Sequence, residues 1–306
     1  MEKDPFVIQA SGCMEKEREI IDISHPFAIV KKDSDTVYLL EPNSNKTVQP
    51  VALLRLSVFT PVAPKEKGKR DFMIDASDEL SSLEVARREG YTDIKIQGAK
   101  LSMSTDFKTW LGIIMAFSTY GYSSETIRLP FTEFAKMCGI KSADLNARSR
   151  KRLHDSLFSI SSVTLAFSSK DGKKSMFSHL VQRAVLNMNT DTVEITADSN
   201  LWELYRYDHK VLLGLKALSE LSRKEAAQSL YIYFESMPAG TLYISMKRLR
   251  ERLAMGSPVK LQNSIIRRAM ADLHKIGYID FIELKKGREI QFVINSRSPK
   301  LQALPG

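Results

Sequence analysis

Each half of this chain presents the same order of sequence signals: an apolar helix, a short strand, a helix ended by glycine, a basic helix, and two strands joined at a glycine. The glycines are Gly139 and Gly172 in the first half, and Gly256 and Gly287 in the second. A helix-turn-helix followed by a β-hairpin is the order of a winged-helix domain. Because identity between the halves is low, only the architecture repeats. The sequence therefore predicts an α+β protein with two tandem winged-helix domains, each a helix-turn-helix plus a β-hairpin wing.

The length of 306 residues fits about two domains. Residues 1–45 show no sustained periodicity and are predicted to form an N-terminal arm. The first winged-helix domain is predicted to cover residues 46–198, and the second residues 199–306. A stretch rich in proline, lysine and glycine, residues 61–71, is predicted to be a connector within the first domain.

The segment YTDIKIQG, residues 91–98, alternates apolar and polar side chains, which is typical of a strand with one buried face. We place it at the edge of the first domain, where it can pair with its copy in a second molecule. An ordinary strand inside its own sheet fits the same pattern.

The helix near residues 258–276 has two chemically distinct faces. Ser257 is its predicted N-cap, with Pro258 at the first helical position. Apolar residues recur at three- and four-residue spacing and form a stripe to be buried: Ile265, Ile266, Ala269, Met270, Leu273 and Ile276. Polar residues fall together on the opposite face: Lys260, Asn263, Ser264 and Arg267. This division suits a helix held to its domain on one side and exposed to a ligand on the other.

In winged-helix proteins the second helix of the motif enters the major groove of DNA, and its first residues contact bases. Arginine and lysine can hydrogen-bond guanine, and asparagine and glutamine can pair with adenine. We therefore expect base contacts from Lys260, Gln262, Asn263 and Arg267, and phosphate contacts from Arg268 and Lys275. The full set of candidate DNA contacts in this half is Lys247, Arg248, Ser257, Lys260, Gln262, Asn263, Ser264, Arg267, Arg268, Lys275, Lys285, Lys286 and Arg288.

The corresponding helix of the first half is predicted to run from Ser142 to Phe158 and is also basic. Its candidate DNA contacts are Ser142, Asn146, Arg148, Arg150, Lys151 and Arg152. The alternative for both helices is a solvated face without a partner, which is the usual meaning of charges on one side of a helix. Charges of nearly one sign repel each other unless an anion is present, and the net charge of +9 fits a polyanionic partner.

Other classes of function lack their sequence signals. The two cysteines exclude a disulfide framework, and the five histidines are isolated, so no local metal-binding pair exists. No Walker-type G-x-x-x-x-G-K-[ST] segment is present. The longest strongly apolar run, residues 110–117, is far shorter than the ~20 residues that span a bilayer. We expect a cytoplasmic protein that is not an enzyme, needs no cofactor or metal, and does not bind membranes.

Several segments carry a resemblance to a known family. They are TVQPVALLRLSVFTP (47–61), DFKTWLGII (106–114), LPFTEFAKMCGI (129–140), YDHKVLLGLKAL (207–218), SPVKLQNSIIRRAM (257–270) and IGYIDF (276–281). In these segments and their order, the chain resembles the plasmid replication initiators with two winged-helix domains, the RepA proteins of the RepFIB class. The likeness covers most of the chain from about residue 47 onward.

The resemblance implies binding of tandem repeats, called iterons, at a plasmid origin in a bacterial cell. It further implies opening of an adjacent AT-rich segment, recruitment of the host initiator protein and replicative helicase, and repression of the chain's own promoter. Family members often change between a DNA-binding monomer and a homodimer that forms through the first domain. The family's DNA-contacting residues correspond to the two basic helices, with the second domain as the main DNA-reading one.

Two other functions compete with this expectation. A winged-helix transcription regulator without a role in replication requires the same helices, and only the resemblance separates it from an initiator. A rolling-circle nickase would need a metal-binding histidine pair beside a nucleophilic tyrosine, and the sequence has no such pair.

Overall fold

The fold comes from a computed structural model of the whole chain. The residues that the structure describes are 27–30, 37–63, 71–81, 84–121, 125–198, 202, 205, 210–287, 289–298 and 304–305.

The α-helices in these residues are α1 (Val51–Arg55), α2 (Ser77–Leu80), α3 (Glu84–Glu89), α4 (Asp106–Tyr120), α5 (Phe131–Met137), α6 (Ala147–Ser161), α7 (Leu215–Glu220), α8 (Glu225–Glu235), α9 (Met246–Leu253) and α10 (Val259–Lys275). A short 3₁₀ turn, Ser142–Asp144, precedes α6.

The strands of the first half are β1 (Ala28–Val30), β2 (Val37–Leu39), β3 (Lys46–Pro50), β4 (Phe59–Thr60), β5 (Phe72–Asp75), β6 (Tyr91–Gly98), β7 (Leu101–Ser102), β8 (Thr126–Pro130), β9 (Thr164–Ser169), β10 (Ser175–His179), β11 (Arg183–Asn187) and β12 (Thr192–Thr196). Those of the second half are β13 (Lys210–Gly214), β14 (Leu242–Ser245), β15 (Ile279–Lys286), β16 (Glu289–Arg297) and β17 (Leu304–Pro305).

The same small sheet is built once in each half. In the first half, β8 pairs with β12, which pairs with β11. In the second half, β14 pairs with β16, which pairs with β15. In both, the short strand precedes a helix-turn-helix, formed by α5 and α6 or by α9 and α10, and the hairpin follows it. This is the winged-helix topology twice over, so the predicted fold class is confirmed.

The wing of the first half lies later in the chain than predicted. The hairpin around Gly172 joins β9 to β10, and these strands belong to a four-stranded sheet with the order β10-β9-β6-β5. The strands that pair with β8 are β11 and β12. Their connection contains no glycine, and Asp191 takes the left-handed conformation there with a φ of 49°. The glycine signal at Gly172 therefore marks the inserted hairpin, and the wing itself carries no glycine signal.

The predicted edge position of residues 91–98 is wrong. This segment forms β6, which is hydrogen-bonded to β5 on one side and to β9 on the other. Its alternation buries Ile94 and Ile96 against the core. Because both neighbouring strands come from the same chain, β6 is the ordinary internal strand that the pattern also allowed.

Part of the predicted N-terminal arm is folded. Strands β1 and β2 form an antiparallel hairpin, and Phe27 beside it is buried against Tyr205, with their ring centroids 5.6 Å apart. Residues 1–26 lie outside the described residues. Strand pairing also crosses the proposed boundary near residue 198, because β13 lies between β3 and β17. The division into residues 46–198 and 199–306 stays a prediction.

A continuous apolar core connects the two halves. Aromatic residues fill its centre, among them Trp110 of α4 and Tyr231 of α8, both fully buried. The indole of Trp110 donates to Gln49 Oε1 on β3 at 3.1 Å. Helix α4 ends at Tyr120, and Gly121 follows as its C-cap with a φ of 96°. The winged-helix units are therefore held on one packed body, and their basic helices lie on its surface.

Candidate nucleic-acid interface

Helix α10 is the predicted DNA-contacting helix, or recognition helix, of the second half, and it begins one residue later than predicted. Pro258 occupies the N-cap position and Val259 is the first helical residue. Ser257 is not the cap, and its hydroxyl has no hydrogen-bond partner in the described part of the chain. The amide of Gln262 donates instead to the carbonyl oxygen of Met255 at 2.8 Å and to that of Ser257. Gln262 therefore closes the turn before α10, and its amide hydrogens are not free to pair with adenine.

The buried stripe of α10 is confirmed, since Ile266, Ala269, Met270 and Leu273 are all buried. The opposite face is open to solvent. Its predicted DNA contacts Lys260, Ser264, Arg268 and Lys275 are exposed. These positions are compatible with the predicted contacts to bases and phosphates.

Asn263 and Arg267 are engaged with side chains of neighbouring elements. The Asn263 side-chain oxygen accepts from Arg250 Nη1 of α9 at 2.8 Å. This contact brings Arg250, which the sequence did not single out as a DNA contact, beside the exposed face of α10. Arg267 forms a two-pronged ion pair with Glu283 on β15, with Nη2 at 2.8 Å from Oε1. The hydrogen bond to Glu283 raises the pKa of Arg267.

Helix α9 distributes its basic residues over different faces. Lys247 is exposed. Arg248 donates to the hydroxyl of Tyr233 at 3.3 Å and lines a cavity of about 550 Å³ together with Asp78 and Glu79 of α2. The hydrogen bond with Tyr233 raises the pKa of Arg248. Arg248 thus lines the cavity beside α2 of the first half, and its assignment as a DNA contact stays a prediction.

The predicted DNA contacts at the tip of the second wing are Lys285, Lys286 and Arg288, and the described residues include the first two. Lys285 is exposed near the end of β15. Lys286 closes that strand and pairs in register with Glu289. Arg288, a further predicted contact, lies outside the described residues.

The first recognition helix, α6, starts at Ala147 and not at Ser142. Asn146 is its N-cap, and its side chain accepts from the Ser149 backbone N–H while Ser149 Oγ accepts from the Asn146 backbone N–H. Each of these reciprocal hydrogen bonds satisfies a donor at the helix start. Ser142 is exposed in the preceding 3₁₀ turn. Asn146 is therefore committed to capping through its side-chain oxygen.

The basic residues of α6 divide into one packed residue and three exposed ones. Arg150 pairs with Asp191 in the wing and lies over the ring of Phe131, 4.4 Å from its centroid. It braces the wing against the helix-turn-helix, and its assignment as a DNA contact stays a prediction. Arg148, Lys151 and Arg152 are exposed, and their role as DNA contacts stays a prediction.

A basic pocket of about 350 Å³ opens beside the start of α6. Lys108 of α4 lines it with Arg148 and Arg152, and Asp144 is the one acidic residue among the described residues that line it. The sequence did not reveal Lys108 as a candidate, because α4 is otherwise an apolar helix and only the packing of α4 beside α6 brings this lysine to the surface near Arg148. Three cations around one pocket are suited to a DNA phosphate.

We expect Lys108→Ala to weaken binding to specific and random DNA by a similar factor, because a phosphate contact carries no sequence information. The slope of log K against log salt should become shallower by about 0.9, the value for one phosphate neutralised. Fluorescence anisotropy over a salt series measures both quantities, with Lys173→Ala in the β9–β10 hairpin as the control. An unchanged slope for Lys108→Ala would exclude the phosphate contact.

Among the described residues, no group of three or more His, Cys, Asp or Glu residues is arranged to hold a metal ion. Within the same residues, no helix combines the length and apolarity needed to cross a membrane.

Two winged-helix units that expose basic recognition helices define a class of DNA-binding proteins. Comparisons with known proteins specify the family. The model of the initiator replication protein family, for its first winged-helix domain (WH1), matches residues 73–235, just over half of the chain. This chain belongs to that family of replication initiators.

Curated relatives agree with this assignment. The replication protein RepA of Salmonella typhi is 46% identical over 289 residues, covering 93% of this chain and 82% of the relative. A replication protein RepA of Escherichia coli is 49% identical, covering 86% of this chain and 92% of the relative. A RepFIB replication protein A of Escherichia coli is 44% identical, covering 89% and 85%.

Proposed function

We propose that this chain starts plasmid replication by binding iterons at the origin as a tandem reader of double-stranded DNA, and that it acts without enzymatic activity. The observation that carries the proposal is the repetition of one topology, with exposed basic residues on the recognition helix each time. Arg148, Lys151 and Arg152 serve the first unit. Lys260 and Arg268 serve the second.

Two linked units explain how modest contacts give specific binding. A good bidentate base contact contributes about 1–3 kcal/mol of discrimination. When one unit is bound, the other is held near its own groove at high effective concentration, so the affinities reinforce each other. Phosphate contacts from the basic helices supply the remaining affinity and make it fall with salt.

We also propose the partners and regulation that the family resemblance implies. The chain would help open an AT-rich segment, recruit the host initiator protein and replicative helicase, and repress its own promoter. A monomer that binds iterons would be in equilibrium with a homodimer formed through the first domain. The names of the relatives, which are replication proteins, favour this proposal over a transcription regulator with the same two units.

Footprinting on the DNA flanking the gene tests the proposal. We expect protection of evenly spaced direct repeats, each about two helical turns long, that persists as salt is raised. A single protected palindrome at the promoter would favour the transcription regulator and contradict the replication role.

The same footprint tests the two-unit arrangement. Lys260→Glu is expected to remove protection from one half of each repeat, and Arg148→Glu from the other half, because each variant repels phosphate at one recognition helix. Lys173→Glu changes the charge equally but lies in the inserted hairpin, and should leave the footprint intact. If either recognition-helix variant leaves both halves of the repeat protected, the units do not bind successive grooves.

A further inference from the structure

The ion pair between Arg267 and Glu283 joins the second recognition helix to its wing. Arg267 is exposed on α10, and the carboxylate of Glu283 on β15 reaches it. Arg267 Nε is 3.1 Å from Oε1 and 3.0 Å from Oε2, and Nη2 is 2.8 Å from Oε1. Both side chains remain partly open to solvent, with 46% exposed for Arg267 and 34% for Glu283. The pair therefore lies at the surface where DNA is proposed to bind.

The atoms used by the pair leave a specific part of the guanidinium available. A guanidinium presents five N–H groups in a rigid fork, and one edge of it carries Nε and Nη2. Glu283 occupies this edge. The other edge, formed by Nη1 and the second hydrogen of Nη2, has no hydrogen-bond partner in the described part of the chain. Its two parallel donors match the O6 and N7 acceptors that guanine presents in the major groove.

We propose that Glu283 is a specificity-determining residue that holds Arg267 in place so that its free edge contacts one guanine of the binding site. This inference rests on the proposed function and adds that one of the bases contacted is a guanine. A free arginine would lose side-chain entropy on binding, and a side chain already fixed by a carboxylate loses less. Glu283 also disfavours binding to random DNA, because its negative charge is repelled by phosphates wherever Arg267 finds no guanine.

The first half shows why the pair in the second half is unusual. There, Arg150 also meets an acidic residue of its wing, Asp191, but its guanidinium lies against the ring of Phe131 and only 28% of its side chain is exposed. That arginine is packed between elements. Arg267 has no aromatic residue against its guanidinium among the described contacts, so its free edge stays open toward the DNA side.

Substitution of single atoms in the DNA tests the proposal. In a protected repeat, each guanine is replaced in turn by 7-deazaguanine, which lacks the N7 acceptor. The full-length chain is expected to lose about tenfold in affinity at one guanine contacted by Arg267, since one of two hydrogen bonds is lost. With Arg267→Ala, that guanine should show no further loss on substitution. Arg268→Ala, which removes the neighbouring exposed arginine, should retain the tenfold penalty.

The role of Glu283 is tested with Glu283→Gln, which keeps the shape and removes the charge. We expect a smaller 7-deazaguanine penalty at the same guanine, tighter binding to random DNA, and a specificity ratio reduced by about fivefold or more. Thermal unfolding checks that Arg267→Ala and Glu283→Gln still fold. We expect both to fold, because the two residues are partly exposed.

The outcomes are separable. If the chain binds repeats specifically but Arg267→Ala leaves every 7-deazaguanine penalty unchanged, Arg267 does not contact guanine and the inference is overturned while the proposed function stands. If Glu283→Gln leaves the penalty and the ratio unchanged, the role of Glu283 is overturned. If the chain shows no preference for any repeat, the proposed function itself fails.

Discussion

Replacing Arg252 with methionine is expected to lower the free energy of unfolding by about 2–4 kcal/mol, because two buried carbonyl groups lose a charged donor. Arg252 belongs to α9 of the second winged helix, yet its guanidinium donates to the carbonyl of Leu54 at 3.1 Å and faces that of Phe59 at 3.5 Å, both in the first half. Leu54 lies in the last turn of α1, where carbonyls lack partners within the helix.

Burial lowers the pKa of Arg252 to about 10, so the side chain stays charged at neutral pH. A cation near the carbonyl end of α1 also interacts favourably with the helix dipole. Only 3% of Arg252 is exposed. The residue therefore fixes the second helix-turn-helix to the first half from inside the protein, where solvent cannot replace it.

Urea unfolding measures the effect, with Lys247→Met as the matched control. Lys247 lies on the same helix but is exposed, so its replacement should change the unfolding free energy by less than about 0.5 kcal/mol. Equal losses for both variants would show that Arg252 contributes no more than a surface charge. The affinity of Arg252→Met for DNA should also depend less on the length of the spacer between the two half-sites, because the two units are then less firmly held together.

Periodicity and glycine placement were enough to predict the winged-helix order of the second half. The apolar stripe of α10 is strongly periodic, and its members Ile266, Met270 and Leu273 are buried as expected. Gly121 and Gly287 mark ends of elements through positive φ angles, a property that follows from the residue type alone. These signals are local, so the chain carries them in any context.

Strand pairings between segments far apart in the chain could not be predicted from the sequence. The inserted strands β9 and β10 looked like a wing because they follow a basic helix, but which strands pair with β8 depends on contacts about 60 residues away. The central position of β6 has the same cause, since an alternating pattern does not say how many neighbours a strand has.

The sequence predicted which residue types form the candidate site, but it did not predict where their side chains point. Arg148 and Arg150 are two positions apart, yet one is exposed and the other pairs with Asp191 of the wing. The side chain of Gln262 stabilises the turn before α10. Glu283 was not predicted as part of the site, because an acidic residue repels DNA phosphates and its pairing with Arg267 is visible only in the fold. Long basic side chains can choose among several partners, and only the folded neighbours decide between them.

Gly98→Ala is expected to destabilise the protein by at least about 3 kcal/mol, combining backbone strain with a clash that cannot relax. Gly98 ends β6 with a φ of +133°, a value that L residues rarely adopt. A Cβ there would lie 2.3 Å from the carbonyl oxygen of Ser162, the residue that ends the first recognition helix. Because the obstacle is backbone, α6 or β6 must shift.

Gly90→Ala is the matched control at the other end of the same strand. Gly90 has a φ of +73°, but nothing lies within 4 Å of the place that an alanine methyl group would take, so strain alone should cost about 1–2 kcal/mol. Urea unfolding of both variants gives the difference in their free energies of unfolding. Footprinting of Gly98→Ala shows whether the shift of α6 weakens protection of the half-site assigned to Arg148 while protection of the Lys260 half-site is kept. Equal destabilisation by the two substitutions would mean that the close approach of β6 to Ser162 does not position the recognition helix.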